Sequence, residues 1–316
     1  MSEPLSGLPA RVTICEVGPR DGLQNEANAV SSADKIRYID LLSGSGLSLI
    51  ETTSFVSPKA IPQMADAEEV MARIERRPGV RYLTLVPNLR GLERARLANV
   101  DSIAVFTAAS NSFTQRNIRM SIDESLAVFS EVVREAKRDG IWVRGYISTS
   151  FGCPYEGEVP VGAVVRVADA LAQMGCDEIS VGDTVGVGVP SQVVEIVREL
   201  REHVPIERLA MHFHDTRGTA LANVLAALET GITIFDSSSG GLGGCPYAPG
   251  ATGNLATEDL LYLLHGMKIE TGVDLERVRE ATRFITRALA RAPVSRAYNA
   301  IEAAEARLRE LAGSQA

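Results

Sequence analysis

The sequence predicts an α/β fold, a (βα)8 or TIM barrel with additional C-terminal helices, and three observations lead there. Eight short runs rich in β-branched residues recur at intervals of roughly 20 to 40 residues, each separated from the next by a helix-like segment. No G-x-G-x-x-G follows the first run, which removes the signature of an open dinucleotide-binding sheet. Every motif with chemical content falls just after a strand-like run, at the end where barrel enzymes carry their sites.

The strands are expected near Val12–Val17, Leu49–Thr53, Tyr82–Val86, Ser102–Thr107, Ile141–Ser148, Glu178–Val181, Leu209–His214 and Ile232–Ser237. Between them, Ser31 with Asp34 and Ser121 with Glu124 have the spacing at which a capping hydroxyl and an acidic side chain satisfy the free N–H groups of a helix start. Pro190 ahead of SQVVEIVREL marks another helix entry. From Glu270 onward two stretches rich in Arg, Glu and Ala read as further helices that cover the barrel or serve a subunit contact. We therefore expect residues 1–316 to form one catalytic domain, with about 270–316 as its helical extension.

Composition narrows the function classes. The 32 Lys and Arg against 40 Asp and Glu give a net charge of −8, which argues against nucleic-acid and anionic-membrane partners but leaves room for a local basic pocket. The four cysteines, Cys15, Cys153, Cys176 and Cys245, form no C-x-x-C pair, so neither a zinc knuckle nor a disulfide framework is expected. No targeting segment or membrane-length apolar run is visible, and a cytoplasmic protein is the expectation.

Three motifs carry chemistry. In Met211-His212-Phe213-His214-Asp215, strand alternation sends both imidazoles to one face, making half a metal site or an ordinary hydrogen-bonding pair. After the first strand, Gly18, Pro19 and Gly22 mark a turn that holds Arg20 and Asp21 at the strand mouth. In a barrel the first and seventh strands open on the same face, so Asp21 could join His212 and His214; a surface Arg-Asp pair is the alternative. After the eighth strand, a glycine-rich loop from Ser239 to Gly250 carries Cys245, whose thiol could donate a proton or attack, or be incidental to a surface loop. Asn254 beyond it is a further candidate ligand or a helix cap, and Glu51 and Asp183, at strand ends, are supporting groups or loop carboxylates. A second Gly-Cys-Pro-Tyr, at residues 152–155, earns Cys153 no catalytic role.

In order along the chain, EVGPRDGLQNE, IETTSFVSPKAIPQM, GCPYEG, GDTVGVG, HFHDT and SGGLGGCPYAPGATGNLATEDL resemble 3-hydroxy-3-methylglutaryl-CoA lyase, from about Val12 to about Val273. The resemblance implies Mg²⁺ or Mn²⁺ on Asp21, His212, His214 and Asn254, with Arg20, Glu51, Asp183 and Cys245 in the active site. Asp21 and His212 would double as catalytic groups, since either, or a water on the ion, would take the substrate's hydroxyl proton. It further implies cleavage of an acyl-CoA thioester to acetyl-CoA and acetoacetate, in a homodimer or other homo-oligomer. The chain departs from the usual animal text at Ala27, Asn111, Arg217 and Thr219. None is a proposed ligand, but these departures leave a longer or branched 3-hydroxy-3-alkylglutaryl-CoA open as substrate. Two readings compete with the lyase. A condensing acyltransferase or aldolase of the same superfamily would need a base to make an enolate rather than an acid to quench one, and a non-catalytic CoA-binding protein would be expected to have lost a ligand or Cys245.

Overall fold

The computed structural model describes residues 7–24, 26–244 and 253–313. Eight parallel strands pair in sequence order and close into a barrel. They are β1 (Thr13–Glu16), β2 (Leu49–Ser54), β3 (Arg81–Leu85), β4 (Ser102–Ala108), β5 (Trp142–Ser148), β6 (Glu178–Asp183), β7 (Leu209–Phe213) and β8 (Ile234–Ser237). The seam pairs Thr13–Glu16 of β1 with Ile234–Ser237 of β8. Around the barrel lie α1 (Ser32–Ser43), α2 (Ala67–Arg73), α3 (Leu89–Leu97), α4 (Asn111–Ile118), α5 (Ile122–Arg138), α6 (Val161–Met174), α7 (Pro190–Leu200), α8 (Ala220–Glu229), α9 (Thr257–Gly266), α10 (Leu275–Ala288) and α11 (Arg296–Gly313).

The alternation of each strand divides the core. Outward-facing Ile14, Ile50, Ile103, Val143, Ile179, Met211 and Phe235 pack against the helices in one apolar layer. Inward-facing Cys15, Leu49, Leu83, Ala104 and Tyr146 form a second cluster inside the barrel. The expected helix starts hold: Ser31 accepts from the Asp34 N–H, and Ser121 with Glu124 forms a reciprocal capping box. The sequence reading did not anticipate α4, which starts at the Ser110 cap and sits between β4 and the main helix α5. Both stretches beyond Glu270 are helical. α10 packs on α1 and α9, and α11 packs on α9, so together they cover the outside of the β8–β1 seam. Among the described residues no helix is long and apolar enough to cross a membrane.

The barrel interior is not filled by branched aliphatics alone. Arg144, on β5, is fully buried there. Its Nε lies 2.6 Å from Glu178 Oε1 and its Nη2 lies 2.7 Å from Asp236 Oδ1. Its Nη1 donates to the Tyr146 hydroxyl at 3.0 Å and to Cys15 Sγ at 3.2 Å.

Two more buried carboxylates brace the seam. Glu16 Oε1 accepts from the backbone N–H groups of Gly18 and Ser239, while Oε2 accepts from Thr257 Oγ1. Glu258 accepts from the Gly240 N–H and the Thr282 hydroxyl. Burial pushes both carboxyls up to about 7. A carboxyl that ionises less readily in the folded than in the unfolded chain contributes stability that is complete below the ordinary carboxylate value and is lost as pH rises toward 7. Glu258→Gln, fixed neutral, should therefore remove roughly half of the fall in unfolding free energy that these two groups produce between about pH 4 and 8, an effect of about 3 kcal/mol per group. Urea unfolding at a series of pH values measures it, and a variant with the wild-type slope would contradict this account of the seam.

Candidate active site

The mouth of the barrel is built from the ends of β1, β2, β7 and β8. Immediately after β1 the chain makes one turn of π-helix, Gly18–Gly22, instead of a simple reverse turn. It can do so because Gly18 has no side chain: a Cβ there would lie 2.4 Å from the Tyr38 hydroxyl and 2.5 Å from Glu16 Oε1. The turn presents Arg20 and Asp21 side by side, with Arg20 Nη1 2.8 Å from Asp21 Oδ1. Arg20 Nη2 lies 2.7 Å from Glu51 Oε2 at the centre of β2. Burial disfavours the guanidinium charge, but Glu51 and Asp21 outweigh it, so Arg20 stays protonated. Its plane is held in place over the Tyr146 ring, 5.7 Å from the centroid.

His212 and His214 do share a face, with ring centroids 5.2 Å apart. β7 ends at Phe213, so His214 leaves the strand ladder and forms an isolated antiparallel bridge to Asn254. That bridge brings Asn254 into the site. Its Nδ2 donates to Asp21 Oδ2 at 2.9 Å and to the Leu242 carbonyl at 3.0 Å. It is not the cap of α9, a position held by Ala256. Gly243 permits the approach: its φ is +100°, and a Cβ there would lie 2.7 Å from Asn254 Nδ2.

One ligand atom from each of Asp21, His212 and His214 falls within 4.8 Å of the others. Asn254 Oδ1 and His214 Nδ1 are buried without a hydrogen-bond partner among the described residues. Burial and the neighbouring His212 push the His214 imidazole down to about 3, so the ring is neutral and keeps a lone pair. Burial opposes ionisation of Asp21, but Arg20 and the two imidazoles outweigh it and hold that carboxyl at about 2. An ionised carboxylate, two imidazoles and an orphaned amide oxygen are a donor set that fits a divalent cation. Asp21, His212 and His214 open into a cavity of about 220 Å³ whose lining includes Tyr146, Ser180, Gly182 and Thr184 and the apolar Ile61, Leu85, Phe106 and Phe113.

Asp183 does not join this group. Its neighbours Gly182 and Thr184 line the cavity, while its own carboxylate accepts from the Val187 and Gly188 N–H groups at 3.0 and 2.9 Å and closes the loop after β6. Strand alternation turns residue 183 away when 182 and 184 face in. Cys245 lies outside the described residues. The sequence reading missed Asp236, whose Oδ2 lies 3.2 Å from His212 Nδ1, and Arg144 behind it. Their signal was available, as charged residues at inward positions of otherwise apolar strands.

Fold and site together define an α/β-barrel enzyme with a candidate divalent-cation site at the C-terminal mouth of its strands. The HMGL-like family matches residues 11–285, and the chain belongs to that family, that of the hydroxymethylglutaryl-CoA lyases. It is a carbon–carbon lyase. The mitochondrial hydroxymethylglutaryl-CoA lyase of Pongo abelii is 53% identical over 293 residues, which are 93% of this chain and 90% of that protein. A protein of Pseudomonas aeruginosa named 3-hydroxy-3-isohexenylglutaryl-CoA/hydroxy-methylglutaryl-CoA lyase is 53% identical over 93% of this chain and 98% of its own length. The crystal structure of hydroxymethylglutaryl-CoA lyase from Pseudomonas aeruginosa superposes with a TM-score of 0.92 at 53% identity, covering 94% of this chain and 99% of the other.

The π-turn has a simple test. Gly18→Ala forces a methyl into Tyr38 and Glu16, so the variant should lose about 1–3 kcal/mol of stability, the usual cost of overpacking. Denaturant unfolding measures this, and a neutral substitution would show that the turn is not held as described.

Proposed function

We propose that this protein cleaves 3-hydroxy-3-methylglutaryl-CoA to acetyl-CoA and acetoacetate, with Asp21, His212, His214 and Asn254 holding Mg²⁺ or Mn²⁺. The observation that carries the reading is the convergence of Asp21, His212 and His214 beside Arg20 in one cavity, with Asn254 hydrogen-bonded to Asp21. When bound, a divalent ion supplies Lewis acidity, lowering the pKa of the substrate's tertiary alcohol and fixing its orientation.

The chain's own residues account for the rest. The hydroxyl proton leaves to a base in the cavity; of the candidates, Asp21 or a water in the site keeps a lone pair for it, whereas His212 has none left once Nδ1 carries a proton and Nε2 holds the ion. The bond between the hydroxyl-bearing carbon and the carbon next to the thioester breaks, its electron pair passes to the thioester as an enolate, and the former alcohol carbon becomes the ketone of acetoacetate. Arg20 opposes the charge that develops on the thioester oxygen, and its ion pairs to Glu51 and Asp21 spare it any reorganisation in doing so. The enolate carbon then takes a proton, a role we assign to Cys245 on the strength of the family resemblance. A second substrate reading has its own support: the apolar wall of Ile61, Leu85, Phe106 and Phe113 would suit a 3-alkyl group longer than methyl, as the name of the Pseudomonas relative indicates for that enzyme. We extend the reading to a homo-oligomer, supported by exposed Tyr262 and Leu308 on the packed pair α9 and α11.

Assay of a panel of 3-hydroxy-3-alkylglutaryl-CoA thioesters tests both substrates. Activity should vanish on chelation and return with Mg²⁺ or Mn²⁺, and full activity in metal-free protein would refute the metal assignment. For Arg20→Gln we expect turnover to fall about a hundredfold to a thousandfold with a much smaller change in the Michaelis constant, because a cation facing a neutral ground-state carbonyl acts mainly on the transition state. Unchanged turnover at saturating substrate would make Arg20 a binding residue instead.

A further inference from the structure

A chain of buried charges runs up the inside of the barrel. One guanidinium, Arg144, stands between two carboxylates, Glu178 at 2.6 Å and Asp236 at 2.7 Å. Both Arg144 and Asp236 are sealed from solvent, with side-chain exposures of 0%. Glu178 feels the charge of Arg81 as well as that of Arg144, and Asp236 is the carboxylate that reaches on to the mouth. Its Oδ1 takes the Arg144 bond, and its Oδ2 accepts from Ser180 Oγ at 2.9 Å and faces His212 Nδ1 at 3.2 Å. Three partners on two oxygens leave this carboxylate no freedom to rotate.

An ionised carboxylate can only accept, so the His212 nitrogen that faces it must carry the proton. The other ring nitrogen, Nε2, then keeps its lone pair. We infer that Asp236, clamped by Arg144 and Ser180, is a positioning residue that fixes the tautomer and orientation of His212 and lends the cation site negative charge from beneath. The inference rests on the reading of His212 as a metal ligand. A pair that served packing alone would not need Ser180 and His212 on the second oxygen.

Nitrogen-15 spectra of the imidazoles at alkaline pH, assigned with His212→Ala, read the tautomer directly without metal or substrate. In the wild-type protein His212 should be protonated on Nδ1 only, and in Asp236→Asn the two tautomers should mix. Calorimetric titration with Mn²⁺ should show affinity falling about 10- to 100-fold in Asp236→Asn, the usual cost of losing such a partner. A wild-type His212 protonated on Nε2 would overturn the inference, and that measurement stands even if Asp236→Asn fails to fold. So would an Asp236→Asn protein with wild-type Mn²⁺ affinity, provided His212→Ala weakens the metal. If His212→Ala leaves the affinity unchanged, the ligand reading itself fails and takes this inference with it.

Discussion

The structure turns on a guanidinium buried at the centre of a barrel. A charge in that position must be paired and hydrogen-bonded, because an isolated ion in a low-dielectric interior is far too costly to keep. Arg144 meets the demand with a partner on almost every side: Glu178 from β6, Asp236 from β8, Tyr146 above it on its own strand, and Cys15 from β1. It thus ties its own strand not only to neighbouring β6 but across the barrel to β8 and β1. Aliphatic side chains filling the same space would pack the barrel as well, but would offer the mouth no fixed charge. The interior here is at once core and foundation for the site.

A second set of buried acids performs a related task at the rim. Glu16 joins the turn after β1 to the turn after β8 and to the start of α9, and Glu258 ties that same second turn to α10. The segments so joined are those that present Arg20 and Asp21 on one side and lead to Asn254 on the other. Their geometry is therefore imposed by hydrogen bonds to backbone N–H groups in a dry environment and does not depend on loop sequence alone. The C-terminal helices contribute to the same end: Thr282, on α10, is one of the groups that Glu258 holds.

How much of this was legible in the sequence depends on whether the information was local. The repeated strand–helix rhythm, the caps at Ser31 and Ser121, and the shared face of His212 and His214 all follow from short-range periodicity, and the structure agrees with each. The same rule applied to Asp183 would have turned it away from the cavity, since Gly182 and Thr184 face in. Glu51, a bare carboxylate in the sequence, acquires meaning only when β2 lies beside the turn after β1 and pairs it with Arg20. Arg144 and Asp236 were harder still. Arg144 with Glu178 and His212 with Asp236 are cross-strand neighbours, but the bond from Arg144 to Asp236 runs from β5 to β8 across the interior of the closed barrel. Asn254 lies beside Asp21 and His214, but its alternative as a helix cap falls only to the structure, where Ala256 holds the cap of α9.

The seam has a consequence for how the molecule comes into being. β1 pairs through all four of its residues with β8 but through only two with β2, so its main partner is the last strand to be synthesised. Asp21 belongs to the first βα unit, while His212, His214 and Asn254 belong to the last two, and the candidate centre straddles that seam. A nascent chain emerging from the ribosome can build helices and neighbouring strand pairs as they appear, yet it holds no binding centre until its two ends have met. Closing so long a loop is entropically expensive and kinetically late. A bound cation would then act as a latch across the join, stabilising the closed ring against its opened form in proportion to its occupancy.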